Sequence, residues 1–292
     1  WNDMSEIFDR WLPYLQPVAE ALIDLADISE DDRVLDVAAG TGEPSLTLAR
    51  RYPNGNITII GVDSAIEMVK RARIKAEKEG LSHLSFQEMS AEDLDFPSGS
   101  FDRVISRFGL MLFDNPLQGL EEIRRVLRHQ GKLAVAVWGP FHKLPTMALI
   151  WDLLMKALPP GHRPQKPRIS DLGQAGALES LFESAEFEIY DIKAFNLPYH
   201  FDNFESYWSV NTSGGFLKAP LDLLSPAAAQ KRGRNPHYPL PEKWKTRFSK
   251  RGPACSGRKI LSRFMVPVLW SRISTNTTVR SEPFVSVIID CD

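Results

Sequence analysis

The stretch Arg33–Gly42, RVLDVAAGTG, decides the fold. Arg33–Val37 is a short apolar strand, Ala38–Gly42 a tight turn, and Glu43 to Arg51 a helix. Pro44 suits its first turn, where a missing N–H costs nothing. Downstream, strands are predicted at Asn56–Val62, Leu84–Glu88, Phe101–Ser106 and Gly131–Trp138, and helices at Ala65–Lys78 and Leu117–Leu127. This alternation predicts an α/β fold, a doubly wound, mostly parallel sheet over residues 30–140. The nearly all-apolar fifth strand fits a sheet covered by helices on both faces.

The flanks read differently. Residues 5–28 carry apolar side chains every three to four positions, with Pro13 and Pro17 expected to break the helix, and residues 1–29 are assigned as a helical cap. After Pro140 the pattern predicts a helix at Ala148–Leu158, a Pro-rich loop at Leu158–Arg168, a capped helix at Asp171–Glu186, a strand at Phe187–Phe195 and a helix at Asn203–Val210. Residues 141–230 are assigned as a substrate cap with a sixth strand. Residues 231–292 are assigned as a basic, atypical segment, with a last strand at Phe284–Ile289.

Composition narrows the class. The 292 residues are 43% hydrophobic and 25% charged, ordinary for a globular protein. No apolar run approaches the ~20 residues of a bilayer-spanning helix. The chain opens Trp1-Asn2-Asp3-Met4, with no secretory pattern and no initiator Met, so natural residues are expected to precede it. Two late cysteines, Cys255 and Cys291, exclude a disulfide framework and fit a cytoplasmic location. The six histidines lack ligand spacing, so no metal site is expected. Residues 231–272 hold 12 Lys/Arg against Glu242, a net of +11, leaving −13 on the rest.

The chemistry gathers at the turn. Glycines there allow a sharp bend and close approach of a ligand outside the carboxyl end of a strand. A plain tight turn would also explain Gly-x-Gly alone. Asp63, 21 residues past Gly42, stands where a carboxylate accepts hydrogen bonds from ribose hydroxyls, although it also suits a helix cap. Asp36 and Glu43 flank the glycines, and Ser45 replaces the third glycine of a dinucleotide fingerprint. Two carboxylates repel a pyrophosphate and suit a cofactor with an ammonium and a sulfonium, namely S-adenosylmethionine.

Five segments then resemble a known family: VLDVAAGTGEPSLTLAR (34–50), GVDSAIEMVKRAR (61–73), FQEMSAEDLDFP (86–97), FDRVISRFGLMLFDN (101–115) and EEIRRVLRHQGKLAVAVWGP (121–140). They are similar to successive motifs of class I S-adenosylmethionine-dependent methyltransferases, in the branch named for ubiquinone/menaquinone biosynthesis. The resemblance implies a Rossmann-like methyltransferase fold with a helical cap. It implies that Ala38, Gly40 and Gly42 wrap the methionine part of the cofactor, that Asp36 orients its ammonium, and that Asp63, beside Ser64, binds the ribose. It implies that Ala91 offers its N–H to adenine. Ser90 replaces the usual carboxylate for the adenine amino group, with Glu92 or a water as substitute. Ser106, Arg107 and Phe108 border the transferable methyl and the substrate.

In-line positioning in a dry pocket does most of the work of methyl transfer, and a base is needed only for a protonated nucleophile. His142 is the best-placed base, with an exposed loop histidine as the alternative. Arg107 either meets an acidic substrate group or forms a surface ion pair. Phe108, Met111, Trp138 and Phe141 are the expected substrate pocket, or else core. Phe204, Tyr207, Trp208 and Phe216 form a lid or a packing face.

The reading is a methyltransferase of a small organic molecule, with no membrane span and a homodimer left open. The basic segment keeps a nucleic-acid or protein methyltransferase as an alternative, although the tetrapeptide of amino-methylating DNA enzymes and the Pro-Cys of cytosine C5 chemistry are both missing. A non-catalytic S-adenosylmethionine-binding protein is the other alternative.

Overall fold

The computed structural model describes residues 1–201, scattered positions between 208 and 223, and 260–272. The chain divides into two compact units: residues 1–141, 168–197 and 264–292 form the first, and residues 142–167 and 198–263 the second.

The first unit is built on a sheet. Strands β1 (Arg33–Val37), β2 (Thr58–Asp63), β3 (Leu84–Glu88), β4 (Phe101–Arg107) and β5 (Leu127–Ala136) are all parallel. With β6 (Glu188–Phe201) and β7 (Ile260–Arg272), the order is β3-β2-β1-β4-β5-β7-β6. β7 runs antiparallel to β5, Ala134 opposite Trp270, so the doubly wound sheet ends in an antiparallel edge. Residues along β1 and β4 are buried consecutively, not alternately, which requires cover on both faces.

Helix α1 (Ser5–Phe8) is one turn. Helix α2 (Leu12–Ala26) buries Leu15, Val18, Ala19, Leu22, Ile23 and Ala26, a single face that packs on β4 and β5. The break between them lies at residues 9–11, not at the prolines. Pro13 sits in the first turn of α2, where it costs no bond, and Pro17 is carried inside the helix. Buried Arg103 donates from Nε to the carbonyls of Ala26 and Asp27, both at 3.0 Å, satisfying the end of α2.

Helices α3 (Ser45–Arg51) and α4 (Ile66–Lys78) pack on β2 and β3. Helix α5 (Pro116–Val126) packs on β5, and its N-cap Asn115 accepts from the Gln118 amide. Helix α6 (Pro145–Ala157) belongs to the second unit. It starts three residues earlier than the apolar pattern suggested, because Pro145 takes the first helical position.

Two expectations are corrected. The helix predicted at Asp171–Glu186 shortens to α7 (Ala177–Ser184). Gly176 is left-handed, at φ +77°, and a Cβ on Gly173 would lie 2.2 Å from the Trp138 carbonyl oxygen, so the preceding residues pack as turns. The strand Ile260–Arg272 lies in the segment assigned as basic and atypical, where Pro267 and four residues, Ser262, Arg263, Ser271 and Arg272, hide its alternation. The expected strand at Phe284–Ile289 and nearly all of the helix at Asn203–Val210 lie outside the described residues.

The exits of β1 and β4 touch. A Cβ on Gly109 would lie 2.5 Å from the Ala38 Cβ and 2.7 Å from Ser106 Oγ. Its φ of −82° suits any residue, so the restriction is steric. Gly109→Ala is therefore expected to cost about 1–3 kcal/mol of stability by overpacking, read by urea denaturation.

Candidate active site

Strand order reverses between β1 and β4: β2 and β3 lie to one side of β1, β5 beyond β4 on the other. Open parallel sheets hold ligands at such a switch point, outside the carboxyl ends of the strands. Ala38, just past β1, and Phe108, just past β4, both adopt left-handed backbone, at φ 61° and 62°. Non-glycine residues pay for that conformation and keep it only where their surroundings impose it, typically at ligand sites.

The turn Ala38–Gly42 is held from below and from the side. Asp63, at the end of β2, accepts from the Gly40 amide at 2.8 Å and from the Ala65 amide at 2.9 Å, so one carboxylate fixes the glycine loop and the entry to α4. Burial pushes its carboxyl above the ordinary range, and the two backbone donors pull the other way. Ser64, beside it, is exposed. Gly42 has φ +107°, a conformation open chiefly to glycine.

Asp36 is fully buried beneath the loop. Its Oδ2 accepts from the Ser45 hydroxyl at 2.7 Å, and its Oδ1 has no hydrogen-bond partner among the described residues. Desolvation pushes its carboxyl up to about 7, against the pull of Ser45 and Arg107. Glu43 is directed to α3 instead. It accepts from the Thr47 amide and hydroxyl, at 3.0 and 2.6 Å, and pairs with Arg50 at 2.9 Å, so its charge is spent on α3.

Arg107 is 6% exposed, which removes the surface ion pair as its role. Its Nη2 donates to the Glu43 carbonyl at 2.9 Å and its Nη1 to the Leu15 carbonyl at 3.5 Å. Ser106 donates to the Val37 carbonyl at 2.9 Å, joining β4 to β1. Beyond β3, Ser90 donates to Glu92 Oε2 at 2.9 Å, the other Glu92 oxygen accepts from the Asn115 amide, and Ala91 is buried. A carboxylate thus stands against the Ser90 hydroxyl.

Phe108 stacks on Trp138 with ring centroids 4.2 Å apart and planes 14° apart. Met111 and Phe141 are likewise buried. His142 is exposed and falls in the second unit. Phe204, Tyr207 and Phe216, the basic stretch 231–259 and both cysteines lie outside the described residues. Among the described residues no group of three His, Cys, Asp or Glu side chains is placed to hold a metal, and no helix is long and apolar enough to cross a membrane.

One feature escaped the sequence. Asp9 Oδ1 accepts from the Thr41 hydroxyl at 2.5 Å and from Lys75 Nζ at 2.7 Å, and Lys75 also donates to the Thr41 carbonyl. The N-terminal segment is thereby pinned to the glycine loop. Asp9 and Lys75 are 66 residues apart in polar stretches whose pattern signals only solvent-facing helix.

An unpartnered buried carboxylate oxygen under a glycine turn fits a cationic group and opposes a diphosphate. The comparisons agree with that fit. A methyltransferase-domain family model matches residues 34–131. The chain is 30% identical over 183 residues to an uncharacterized methyltransferase, YcgJ, of Bacillus subtilis, covering 62% of this chain and 67% of that protein. It belongs to the class I S-adenosylmethionine-dependent methyltransferases. A UbiE ubiquinone/menaquinone biosynthesis C-methyltransferase from Citrifermentans bemidjiense is 33% identical over 132 residues, 44% of this chain and about half, 54%, of that relative. In fold, the methyltransferase matches the crystal structure of YcgJ (TM-score 0.58, 20% identity, 89% of this chain and 100% of that one). It also matches a putative methyltransferase of Bacillus halodurans (TM-score 0.58, 19% identity, 88% and 99%). S-adenosylmethionine is the methyl donor of this enzyme.

The buried carboxyl makes the cofactor-free enzyme sensitive to pH. Asp36 titrates near 3.8 when unfolded and near 7 when folded, so its contribution to stability is present below about pH 4 and lost as pH rises through about 7. Asp36→Asn, which mimics the protonated form, is expected to exceed the parent in urea resistance at about pH 8 and to match it at about pH 4.

Proposed function

We propose that this methyltransferase acts on a small organic molecule held over the Phe108–Trp138 pair, by in-line transfer to an oxygen, nitrogen or carbon nucleophile. The observation that carries this reading is the aromatic stack itself. The Phe108 amide donates to the Ala136 carbonyl at 2.8 Å, so the stack stands where β4 and β5 end, next to the glycine loop. Buried aromatic faces with Met111 and Phe141 nearby suit a compact, partly apolar ligand.

The chain's residues have separable tasks in this reading. Asp36 Oδ1 receives the cofactor's ammonium, Asp63 keeps a lone pair on each oxygen for the ribose hydroxyls, and Glu92, seated on Ser90, accepts from the adenine amino group beside the Ala91 amide. The left-handed backbone at Ala38 and the glycines at 40 and 42 let the loop approach the methionine part closely. The bound cofactor supplies a methyl already activated on a sulfonium. Phe108 and Trp138 exclude water and fix the direction of approach. The small number of cysteines supports work in a reducing compartment.

The test is calorimetry with S-adenosylhomocysteine, followed by transfer of labelled methyl to a panel of phenols, quinols and amines. Label in at least one supports the reading, and binding without label in any small molecule, but with label in added nucleic acid or protein, overturns it. Asp63→Ala is expected to weaken cofactor binding by about 1–3 kcal/mol, and unchanged affinity would refute the ribose assignment. Trp138→Ala is expected to lower kcat/KM about tenfold or more while cofactor affinity stays within about threefold.

A further inference from the structure

Asp36 and Arg107 share one face of the sheet. Asp36 pairs with Ile105 across β1 and β4, and Arg107, two residues past Ile105, points to the same face as its diagonal neighbour. Both side chains are buried, at 0% and 6% exposure. The Arg107 guanidinium reaches the Glu43 carbonyl, at the end of the glycine loop, and the Leu15 carbonyl of α2.

We propose that Arg107 is a positioning residue: from beneath the glycine loop it holds the loop's end by the Glu43 carbonyl and supplies the counter-charge that keeps Asp36 ready for the cofactor's ammonium, without touching substrate. A buried carboxylate without a counter-charge takes up a proton, and a protonated Asp36 gives the ammonium a weak acceptor. A buried guanidinium stays charged at any pH the protein survives, so it does this without competing for the proton. Two of its nitrogens donate to backbone carbonyls, while Asp36 Oδ1 has no hydrogen-bond partner among the described residues.

The other groups facing Asp36 work against the charge or are neutral. Asp63 on β2 raises its carboxyl further, Ser45 on α3 acts only through neutral donors, its hydroxyl and its backbone amide, and Glu43 is paired with Arg50. Arg107 is thus the cation that acts on Asp36 from β4, and α2 contributes a carbonyl through Leu15.

This inference rests on the assignment of Asp36 to the cofactor. The experiment is the affinity for S-adenosylhomocysteine, by calorimetry across about pH 6 to 9, for the parent, Arg107→Gln, Arg107→Lys, Asp36→Asn and the double variant. For the parent, affinity should rise with pH and level off near 7. Arg107→Gln should move that rise up by about one pH unit or more, so that binding is about tenfold weaker at pH 6.5 and recovers toward the parent at pH 9. Arg107→Lys should keep the parent's midpoint. Arg107→Gln should cost little further affinity once Asp36 is Asn.

A loss equal at every pH, or losses that add in the double variant, would overturn the coupling and leave Arg107 a structural residue. A pH-independent parent affinity, or one that Asp36→Asn leaves unchanged, would instead reject the Asp36 assignment itself. Should Arg107→Gln not fold, the double variant decides: folding restored by Asp36→Asn supports the charge relation, and failure in both overturns it.

Discussion

Where β1 and β4 leave the sheet side by side, their backbones come so close that no side chain fits between them. Gly109 abuts Ala38, Ser106 bonds the Val37 carbonyl, and both strand exits take left-handed turns at residues that are not glycine. The strain is paid by the sheet, whose central strands are buried on both faces and cannot relax toward solvent. Every proposed cofactor contact is arranged around the switch point at which these two strands diverge.

Charge is the second organising element. Of the carboxylates near the glycine loop, Glu43 is spent on Thr47 and Arg50, and Asp63 is spent partly on the Gly40 and Ala65 amides. Asp36 alone keeps a buried oxygen without a partner among the described residues. That oxygen costs stability in the empty enzyme, since an unsatisfied buried acceptor loses its water and gains nothing. A cationic ligand turns the cost into affinity. Arg107 beneath and Asp9 above, the latter locked to Thr41 and Lys75, hold the loop in shape around it.

The proposed substrate side is simpler. An aromatic pair supported by the ends of β4 and β5 offers shape and dryness but few polar handles within the first unit. This matches a reaction whose leaving group is already activated and whose enzyme mainly aligns two partners.

The residues themselves determined the alternating strands and helices, the glycine turn at 38–42 and the carboxylate at 63, because these are local: period, spacing and turn chemistry are written within ten or twenty positions. They also offered Asp36 as a candidate site residue, though not that its second oxygen would be left unpartnered. Tertiary structure alone decided the rest. Arg107 turned inward, Glu43 turned to Thr47 and Arg50, Asp9 met Lys75, and Ile260–Arg272 joined the sheet beside β5 as an antiparallel strand. Each depends on which groups the folded sheet and helices bring within hydrogen-bonding distance, and a charged side chain is read as solvent-facing in a linear pattern until packing shows what stands opposite it.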